Sequence, residues 1–382
     1  MPPGFHFSEE AELAQPIRCT FPVTTALLEQ AVYDRVFPGC AFAVLAIVNT
    51  QTPEQSAHAV GRFTYEPQSL PVDADTVFDL ASLTKVLATT ATIMRLYDRG
   101  ELALDVPLTE WLPEFAASDA RRSLITPRML LDHSSGLPSY VRLFESANDR
   151  LAMIDACLHQ PLTADPGTRA EYSDIGFMIL GHLIETITGE RLDAFCQREI
   201  FAPLGMSATR FCPEKAMRES IPPTEDDRSF RHRVIQGEVH DENASVMGGV
   251  AGHAGLFSNA ADTLRFARCM LANGVTATGV HLFSAQTVAL FATRAQQPPG
   301  TSRALGWDTP STPSASGTLF SAHSIGHLGF TGTSLWIDLD AGIAVILLTN
   351  RTWPDRSNQA IRELRPRFHD ALRRELVTNH KN

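Results

Sequence analysis

Residues 78–90 have the sequence FDLASLTKVLATT, in which a serine and a lysine lie three positions apart at the start of a helical pattern. Lysine is rare in this chain, which has 29 arginines but only Lys85, Lys215 and Lys381. Of these, only Lys85 has a serine three residues before it. Residues three apart on a helix lie on one face, so the side chains of Ser82 and Lys85 can touch.

A serine hydroxyl becomes a good nucleophile when a neighbouring base takes its proton, and lysine can be that base. For this role the pKa of Lys85 must be lowered by burial or by nearby positive charge, and arginine cannot replace it. A helix that begins near Ser82 also offers unpaired N–H groups to a developing oxyanion. We therefore expect a nucleophile at Ser82 and a base at Lys85. The alternative is a helix-capping serine followed by a solvated lysine.

The composition favours a protein that acts on small molecules. Of the 382 residues, 44% are hydrophobic and 20% are charged, which is ordinary for a soluble globular enzyme. The net charge of −11, without a basic run longer than two residues, argues against nucleic acid or an anionic membrane as a partner. The best apolar run, residues 41–48, is too short to span a bilayer.

Three further features bear on compartment and cofactors. The N-terminal sequence lacks the basic start and apolar stretch of a secretory signal, which predicts a cytoplasmic protein. Six cysteines without C-x-x-C spacing favour reduced thiols over zinc sites or disulfides. His240, Asp241, Glu242 and His253 invite a metal interpretation, but they do not have H-E-x-x-H spacing, so we expect a loop that lines a cleft. No metal and no organic cofactor is expected.

Strand signals lie at both ends of the chain, and helical periods lie between them. Short apolar and β-branched runs predict two hairpins, with strands at 40–50, 58–65, 333–340 and 343–350. Helical spacing dominates residues 78–272. The sequence thus predicts an α+β protein in which residues 1–77 and 273–382 form a sheet domain and residues 78–272 form a mainly helical domain.

Local signals also predict where individual helices begin and end. Thr126, followed by a proline, and Asn259, followed three residues later by an aspartate, are typical helix starts. The HSSGLP sequence at 133–138 should end the first of these helices. The amphipathic segment 357–378 should pack on the sheet, with a kink or a restart at Pro366.

Two more motifs follow the serine and lysine along the chain, YSD at 172–174 and HLG at 327–329. With these motifs the chain resembles the serine β-lactamase and penicillin-binding-protein-like superfamily, in particular its class C β-lactamase, D,D-peptidase and family VIII esterase branch. That branch carries S-x-x-K, then Y-x-N or Y-x-S, then K-T-G or H-x-G. The resemblance covers about residues 35–350 and implies an antiparallel sheet flanked by N- and C-terminal helices, with an inserted helical domain.

The resemblance implies a role for each motif residue. Ser82 would be the acylated nucleophile, and Lys85 and Tyr172 would form the acid/base pair. A phenol has an ordinary pKa near 10, but an adjacent lysine ammonium favours the phenolate, so the two groups can share one proton. The alternative for Tyr172 is an aromatic residue that packs at the entry to the following helix.

The same resemblance places the third motif at the edge of the cleft. Gly329 would let the substrate come close, and the N–H of Phe330 would complete the oxyanion hole with that of Ser82. His327 replaces a lysine and would hold a substrate carboxylate less firmly at neutral pH, unless it is only packed on an edge strand. Asp174 stands where many relatives have asparagine. Its carboxylate offers no donor to a substrate amide, which favours an ester substrate, and capping of the next helix is its alternative role.

Taken together, these observations predict a serine hydrolase that acts through an acyl-enzyme on small esters, or on amides. A β-lactamase or D,D-carboxypeptidase is the first alternative. A catalytically silent binding protein is the second. The adjacent histidine and serine of the DHSSGLP segment are not expected to form a catalytic dyad, because neighbours in sequence seldom do. The absence of a G-x-S-x-G sequence argues against an α/β-hydrolase. The oligomeric state is not readable from the sequence.

Overall fold

The computed structural model describes residues 15–16, 20–48, 52–116 and 119–379. Residues 1–14, Cys19 and Lys381 lie outside the described residues. The strands are β1 (Gln15–Pro16), β2 (Gly39–Val48), β3 (Thr52–Gly61), β4 (Phe78–Asp79), β5 (Arg210–Phe211), β6 (Pro223–Asp227), β7 (Arg233–Gln236), β8 (Leu256–Ser258), β9 (Ser324–Leu328), β10 (Ser334–Asp338) and β11 (Ile343–Thr349). The α-helices are α1 (Pro22–Tyr33), α2 (Ala91–Asp98), α3 (Pro127–Leu131), α4 (Arg150–Leu158), α5 (Asp174–Thr188), α6 (Leu192–Cys196), α7 (Ala202–Leu204), α8 (Glu242–Val246), α9 (Ala260–Leu271), α10 (Ala285–Ala292) and α11 (Ile361–Asn379).

The main sheet joins the two ends of the chain. Its strands lie in the order β1-β3-β2-β11-β10-β9, and every neighbouring pair is antiparallel except β1 and β3. Strand β2 pairs with β11 from Cys40 opposite Thr349 to Ala46 opposite Ile343, so both ends of the chain complete one sheet. The predicted α+β class and both hairpins are confirmed, although β3 already begins at Thr52.

Both faces of this sheet are covered, which explains the continuous apolar runs of β2 and β11. One face packs against α1 and α11 in a buried cluster that includes Phe42, Trp336 and Phe368. On the other face, Phe266 of α9 belongs to the same buried cluster as Ile346 of β11. In the described part of the chain, no helix is long and apolar enough to cross a bilayer.

The C-terminal helix fastens the two ends of the chain together. The sequence predicted a kink or a restart at Pro366; helix α11 continues through this residue, so a restart is wrong and a kink stays a prediction. Near its end, the Glu375 carboxylate accepts the N–H of Val23 at 2.8 Å and the hydroxyl of Thr24 at 2.6 Å, which ties α11 to the first turn of α1.

The predicted helix starts in the central segment are also found. The Thr126 hydroxyl oxygen accepts the N–H of Met129 at 3.4 Å, and the Asn259 side-chain oxygen accepts the N–H of Asp262 at 2.9 Å. Helix α3 ends at Leu131, just before the HSSGLP sequence. The five cysteines among the described residues are free thiols, four of them buried and one exposed.

Helix α10 follows residue 272, where the sequence predicted the helical domain to end, yet it contacts the central helices. The N–H and hydroxyl of Ser284, at its start, donate to the Asp98 carboxylate at 2.7 and 2.8 Å. Arg95 of α2 donates to the carbonyl of Leu282 at 2.8 Å. The division into two domains at these boundaries stays a prediction.

Helix α5 lies directly against the turn that precedes β8. A Cβ at Gly181 would lie 2.9 Å from the backbone nitrogen of Gly252, and a Cβ at Gly252 would lie 2.0 Å from the carbonyl oxygen of Phe177. Neither position has room for a side chain, so both glycines are required for this close approach. The carbonyl of the next residue, His253, accepts a hydrogen bond from Lys85.

The close approach predicts different effects for two glycines of the same helix. A Cβ at Gly176 would meet only ordinary contacts, the nearest at 3.5 Å. Gly176→Ala should therefore be neutral or stabilising, because alanine is the better helix former. Gly181→Ala forces backbone atoms apart, so its free energy of unfolding should lie about 1–3 kcal/mol below that of Gly176→Ala. Urea denaturation measures both, and equal stabilities would contradict the close packing.

Candidate active site

Ser82 lies on a strained turn between β4 and the helical segment. The chain forms a 3₁₀ turn (Ala81–Leu83), then a π-helical turn (Lys85–Thr90), and continues as α2. Ala81 has a φ of +46°, a left-handed conformation that is unfavourable for a residue with a Cβ. The Asp79 carboxylate stabilises this turn, because its Oδ1 accepts the N–H of Ala81 at 2.8 Å.

The Lys85 side chain is completely buried, which excludes the solvated lysine. Its Nζ lies 3.0 Å from Ser82 Oγ, 3.0 Å from the carbonyl oxygen of His253 and 2.7 Å from Asp174 Oδ1. A lysine ammonium has three N–H donors, and three oxygens surround this one. The carbonyl of His253 is a contact that the sequence analysis did not anticipate.

Asp174 has a different role from the helix cap expected as its alternative. The cap of α5 is Ser173, whose Oγ accepts the N–H of Gly176 at 3.1 Å. Asp174 is the first residue of the helix, and its carboxylate pairs with Lys85. Because Oδ1 has no other partner among the described residues, the contact with Nζ is what compensates its burial.

Tyr172 completes the group around the serine. Its hydroxyl donates to Ser82 Oγ at 2.9 Å, and Lys85 Nζ lies 5.0 Å from the centre of its ring. The structure therefore brings together the three residues that the first two motifs singled out. Ser82 Oγ is within hydrogen-bonding distance of both candidate bases.

The electrostatics of this group differ from the sequence-based expectation. Burial by itself lowers the pKa of Lys85, but the Asp174 carboxylate and Tyr172 outweigh burial, so the net pKa lies above its ordinary value. Burial and the Asp174 charge raise the pKa of Tyr172 to about 12, despite the opposing effects of Lys85 and Ser82. The expected lowering of the lysine pKa, and with it the expected bias towards a phenolate, is wrong. The reason is that Asp174, which the sequence suggested would face the substrate or cap a helix, pairs with Lys85 instead.

The third motif borders the same site. Gly329 lies so close to the serine turn that a Cβ would be 2.6 Å from the carbonyl oxygen of Leu80 and 1.9 Å from Thr333 Oγ1. The glycine thus permits close approach of the protein's own backbone. Phe330 lines the cleft with a half-exposed ring that packs 5.6 Å from the ring of His240.

His327 is buried behind the cleft wall rather than exposed in it. Its ring centre lies 6.0 Å from that of Tyr172, and its Nδ1 lies 2.8 Å from the carbonyl oxygen of Leu328. Burial and the nearby charges of Lys85 and Arg303 hold the pKa of His327 well below its usual range. Among the described residues that line the cleft His327 is absent, so its geometry gives no support to a contact with a substrate carboxylate.

The cleft in front of Ser82 has a volume of about 650 Å³. His240, Asp241, Glu242 and His253 line the cleft, as the sequence predicted, although helix α8 begins at Glu242 and the segment is not loop throughout. His253 Nε2 lies 2.9 Å from Asp241 Oδ1, and His240 Nε2 lies 2.9 Å from Glu225 Oε2. Their side chains thus pair within the protein, and the described residues contain no cluster of histidine, cysteine or carboxylate groups arranged for a metal.

The sequence did not predict a set of three arginines that also line the cleft. Arg351, Arg362 and Arg365 line the cleft, and within the described chain none has a carboxylate at ion-pair distance. The guanidinium of Arg351 donates to the carbonyl of Phe330 at 2.7 Å, and that of Arg365 donates to the carbonyl of Gly329 at 2.6 Å. Burial and neighbouring arginines lower the pKa of Arg351 to about 10 and that of Arg365 to about 9. The available signal in the sequence was the high frequency of arginine between residues 351 and 374, where seven occur.

Comparison with known proteins agrees with this geometry. The model of the Beta-lactamase family matches residues 25–366. The chain is 34% identical over 312 residues to a putative D-alanyl-D-alanine carboxypeptidase of Escherichia coli K12, covering 74% of this chain and 71% of the relative. It is 35% identical over 305 residues to an N-acetylmuramyl-L-alanine amidase of Bacillus subtilis, covering 72% and 68%.

Solved structures show the same fold. A penicillin-binding protein homologue from Caulobacter crescentus superposes with a TM-score of 0.72 at 18% identity, covering 95% of this chain and 99% of the homologue. At that identity the likeness concerns the fold alone. The family match over most of the length, together with the serine, lysine and tyrosine in contact, leads to one conclusion. This chain belongs to the β-lactamase family and is a serine hydrolase.

Proposed function

We propose that this chain hydrolyses small carboxylic esters through an acyl-enzyme on Ser82. The observation that supports it best is that Ser82 Oγ, on the cleft wall, accepts hydrogen bonds from both Lys85 Nζ and the Tyr172 hydroxyl. A hydroxyl held in this way needs one proton transfer to become a nucleophile. The neighbouring N–H groups of Ser82 and Phe330 are assigned to the oxyanion hole.

The raised pKa values of Lys85 and Tyr172 determine how the mechanism begins. With an ammonium and a phenol, both groups donate to Ser82 Oγ and neither accepts its proton. One proton must therefore leave the coupled group formed by Lys85, Tyr172 and Asp174 before attack. That group then takes the proton from Oγ as Oγ bonds to the ester carbonyl carbon. It returns the proton to the leaving alkoxide as the C–O bond breaks. Water cleaves the acyl-enzyme by the same transfers.

The engagement of Asp174 supports an ester rather than an amide. Its carboxylate lies 2.7 Å from Lys85 Nζ, and an ionised carboxylate has no hydrogen to donate to a substrate amide carbonyl. An ester substrate has no amide group, so it does not need a side chain at this position to hold one. Phe330 and Tyr140, both on the cleft wall and partly exposed, supply apolar surface for an acyl group.

A D,D-carboxypeptidase is the second candidate, and one feature of the cleft favours it. Arg351, Arg362 and Arg365 form a positive side without carboxylate partners among the described residues, which suits a substrate with a free carboxylate. The curated relatives named as D-alanyl-D-alanine carboxypeptidases point in the same direction. An anionic ester would satisfy the same arginines.

The nucleophile can be tested with a fluorophosphonate probe and intact-mass measurement. The wild type should gain the mass of one adduct, and Ser82→Ala should gain none, because among the described residues Ser82 supplies the hydroxyl that contacts both Lys85 and Tyr172. Ser245→Ala, on the neighbouring helix α8 but outside the cleft, is the control and should label normally. Labelling that survives Ser82→Ala would refute the nucleophile. An unlabelled wild type would instead support the silent binding protein.

Replacing Asp174 should change the pH dependence of ester hydrolysis. Asp174→Asn removes the charge that raises the pKa of Lys85 but leaves the burial that lowers it. The proton that must leave the coupled group before attack is then lost at lower pH. The acidic limb of the pH profile of kcat/KM should therefore shift to lower pH by about one unit or more. The exposed Asp155→Asn is the control and should leave the limb in place. A limb that stays or moves upward in Asp174→Asn would contradict this account of the ion pair.

The positive side of the cleft can be tested with a phenyl ester and its carboxyphenyl analogue. Arg362→Gln removes an exposed guanidinium on the cleft wall, so kcat/KM for the carboxyphenyl ester should fall about tenfold while that for the phenyl ester is retained. Arg367→Gln, exposed on the same helix but outside the cleft, should affect neither ester. Equal loss on both esters would exclude recognition of the carboxylate by Arg362.

A further inference from the structure

His133 lies immediately beyond the end of α3 in an unusual conformation. Its φ is +62°, a left-handed value that histidine tolerates better than most residues with a Cβ. The side chain is only 3% exposed, although the preceding helix ends at Leu131 and the chain turns there. Such backbone strain persists only where the surrounding structure imposes it, and it is often found at functional sites.

His133 forms hydrogen bonds on both sides of Tyr172. Its carbonyl oxygen accepts the N–H of Glu171 at 2.9 Å, and its Nδ1 accepts the N–H of Ser173 at 3.0 Å. The imidazole also packs against the phenol, with ring centres 4.8 Å apart. Main chain and side chain of one residue thus hold the residues before and after the tyrosine.

Residues 136–139, which follow His133, also support the chain around Tyr172 through main-chain groups. The carbonyl of Gly136 accepts the N–H of Thr163 at 2.8 Å, and that of Ser139 accepts the N–H of Asp174 at 2.8 Å. The Ser173 hydroxyl donates to the carbonyl of Pro138 at 2.7 Å. These bonds therefore support the segment that brings Tyr172 and the first residue of α5, Asp174, to Lys85.

The hydrogen bond at Nδ1 requires a neutral imidazole with its proton on Nε2, because a protonated Nδ1 cannot accept. Burial, and then the charges of Arg303, His327 and Lys85, hold the pKa of His133 well below its usual range. The ring therefore remains an acceptor at neutral pH. The carboxylate of the preceding residue, Asp132, accepts the hydroxyl of Ser134 at 2.6 Å.

We propose that His133 is the positioning residue that holds the Tyr172 hydroxyl against Ser82, by fixing the main chain on both sides of the tyrosine. This inference rests on the proposed role of Tyr172 in proton transfer. The hydroxyl lies 2.9 Å from Ser82 Oγ, and a displacement of about 1 Å at such a distance costs about a hundredfold in rate. His133 touches no substrate in this account and acts only through Tyr172.

Three substitutions separate positioning from general stability. His133→Leu removes the acceptor and keeps the bulk, and His133→Gly removes the acceptor while tolerating the positive φ. His133→Asn tolerates the same φ and offers an amide oxygen close to the position of Nδ1. For a p-nitrophenyl ester, kcat should fall about a hundredfold in the leucine and glycine variants with little change in KM. The asparagine variant should retain kcat to within about tenfold.

Melting temperatures show whether each variant folds. If His133→Leu does not fold, His133→Gly still tests the proposal, because glycine adopts the positive φ without strain. Full kcat in folded His133→Gly would overturn the proposal, as would equal losses in the glycine and asparagine variants. In a Tyr172→Phe background, His133→Gly should cause little further loss of the fluorophosphonate labelling rate, because the positioned hydroxyl is already absent. An equal further loss there would show that His133 acts elsewhere. An unlabelled wild type would refute the proposed function and is a separate result.

Discussion

The buried ammonium of Lys85 is the constraint on which the site depends. A charged amine without exposed surface is costly unless every N–H finds an acceptor, and the three acceptors come from three separate parts of the chain. Ser82 comes from the 3₁₀ turn just before Lys85, Asp174 from the start of α5, and the carbonyl of His253 from the turn before β8. Loss of any one of these elements leaves the charge partly unpaired. The assembly of the helical segment around Lys85 is therefore also the assembly of the site.

Close backbone packing makes this assembly possible. Gly181 and Gly252 bring α5 and the His253 turn into contact, and Gly329 brings the third-motif strand against Leu80. Each contact would fail with a Cβ at the glycine position. The site is thus held between a helix, a turn and a sheet edge that approach more closely than ordinary side chains allow.

Strain and charge are distributed unevenly over the cleft. Ala81, next to the nucleophile, and His133, against Tyr172, both have positive φ, so the two strained non-glycine residues of this region support the two hydroxyls that meet. At the cleft, His240 and His253 pair with Glu225 and Asp241, and Arg356 pairs with Glu225 and Glu242. Arg351 and Arg365 instead contact main-chain carbonyls and have no carboxylate at ion-pair distance among the described residues. Under the proposed function, these two guanidiniums give the cleft an orientation for an anionic group.

The sequence by itself determined the fold class, the two hairpins, the helix starts at Thr126 and Asn259, and the order of the three motifs. These features depend on spacing, capping and periodicity, which act over a few residues and are legible in one dimension. Only the tertiary structure decided the protonation of Lys85, the lack of carboxylate partners for the cleft arginines among the described residues, and the hydrogen bonds of His133 on both sides of Tyr172. Each depends on distances between groups far apart in the chain, and electrostatic and hydrogen-bond energies follow distance and burial in space. A motif predicts which residues meet. Only the fold decides which charge stands beside them.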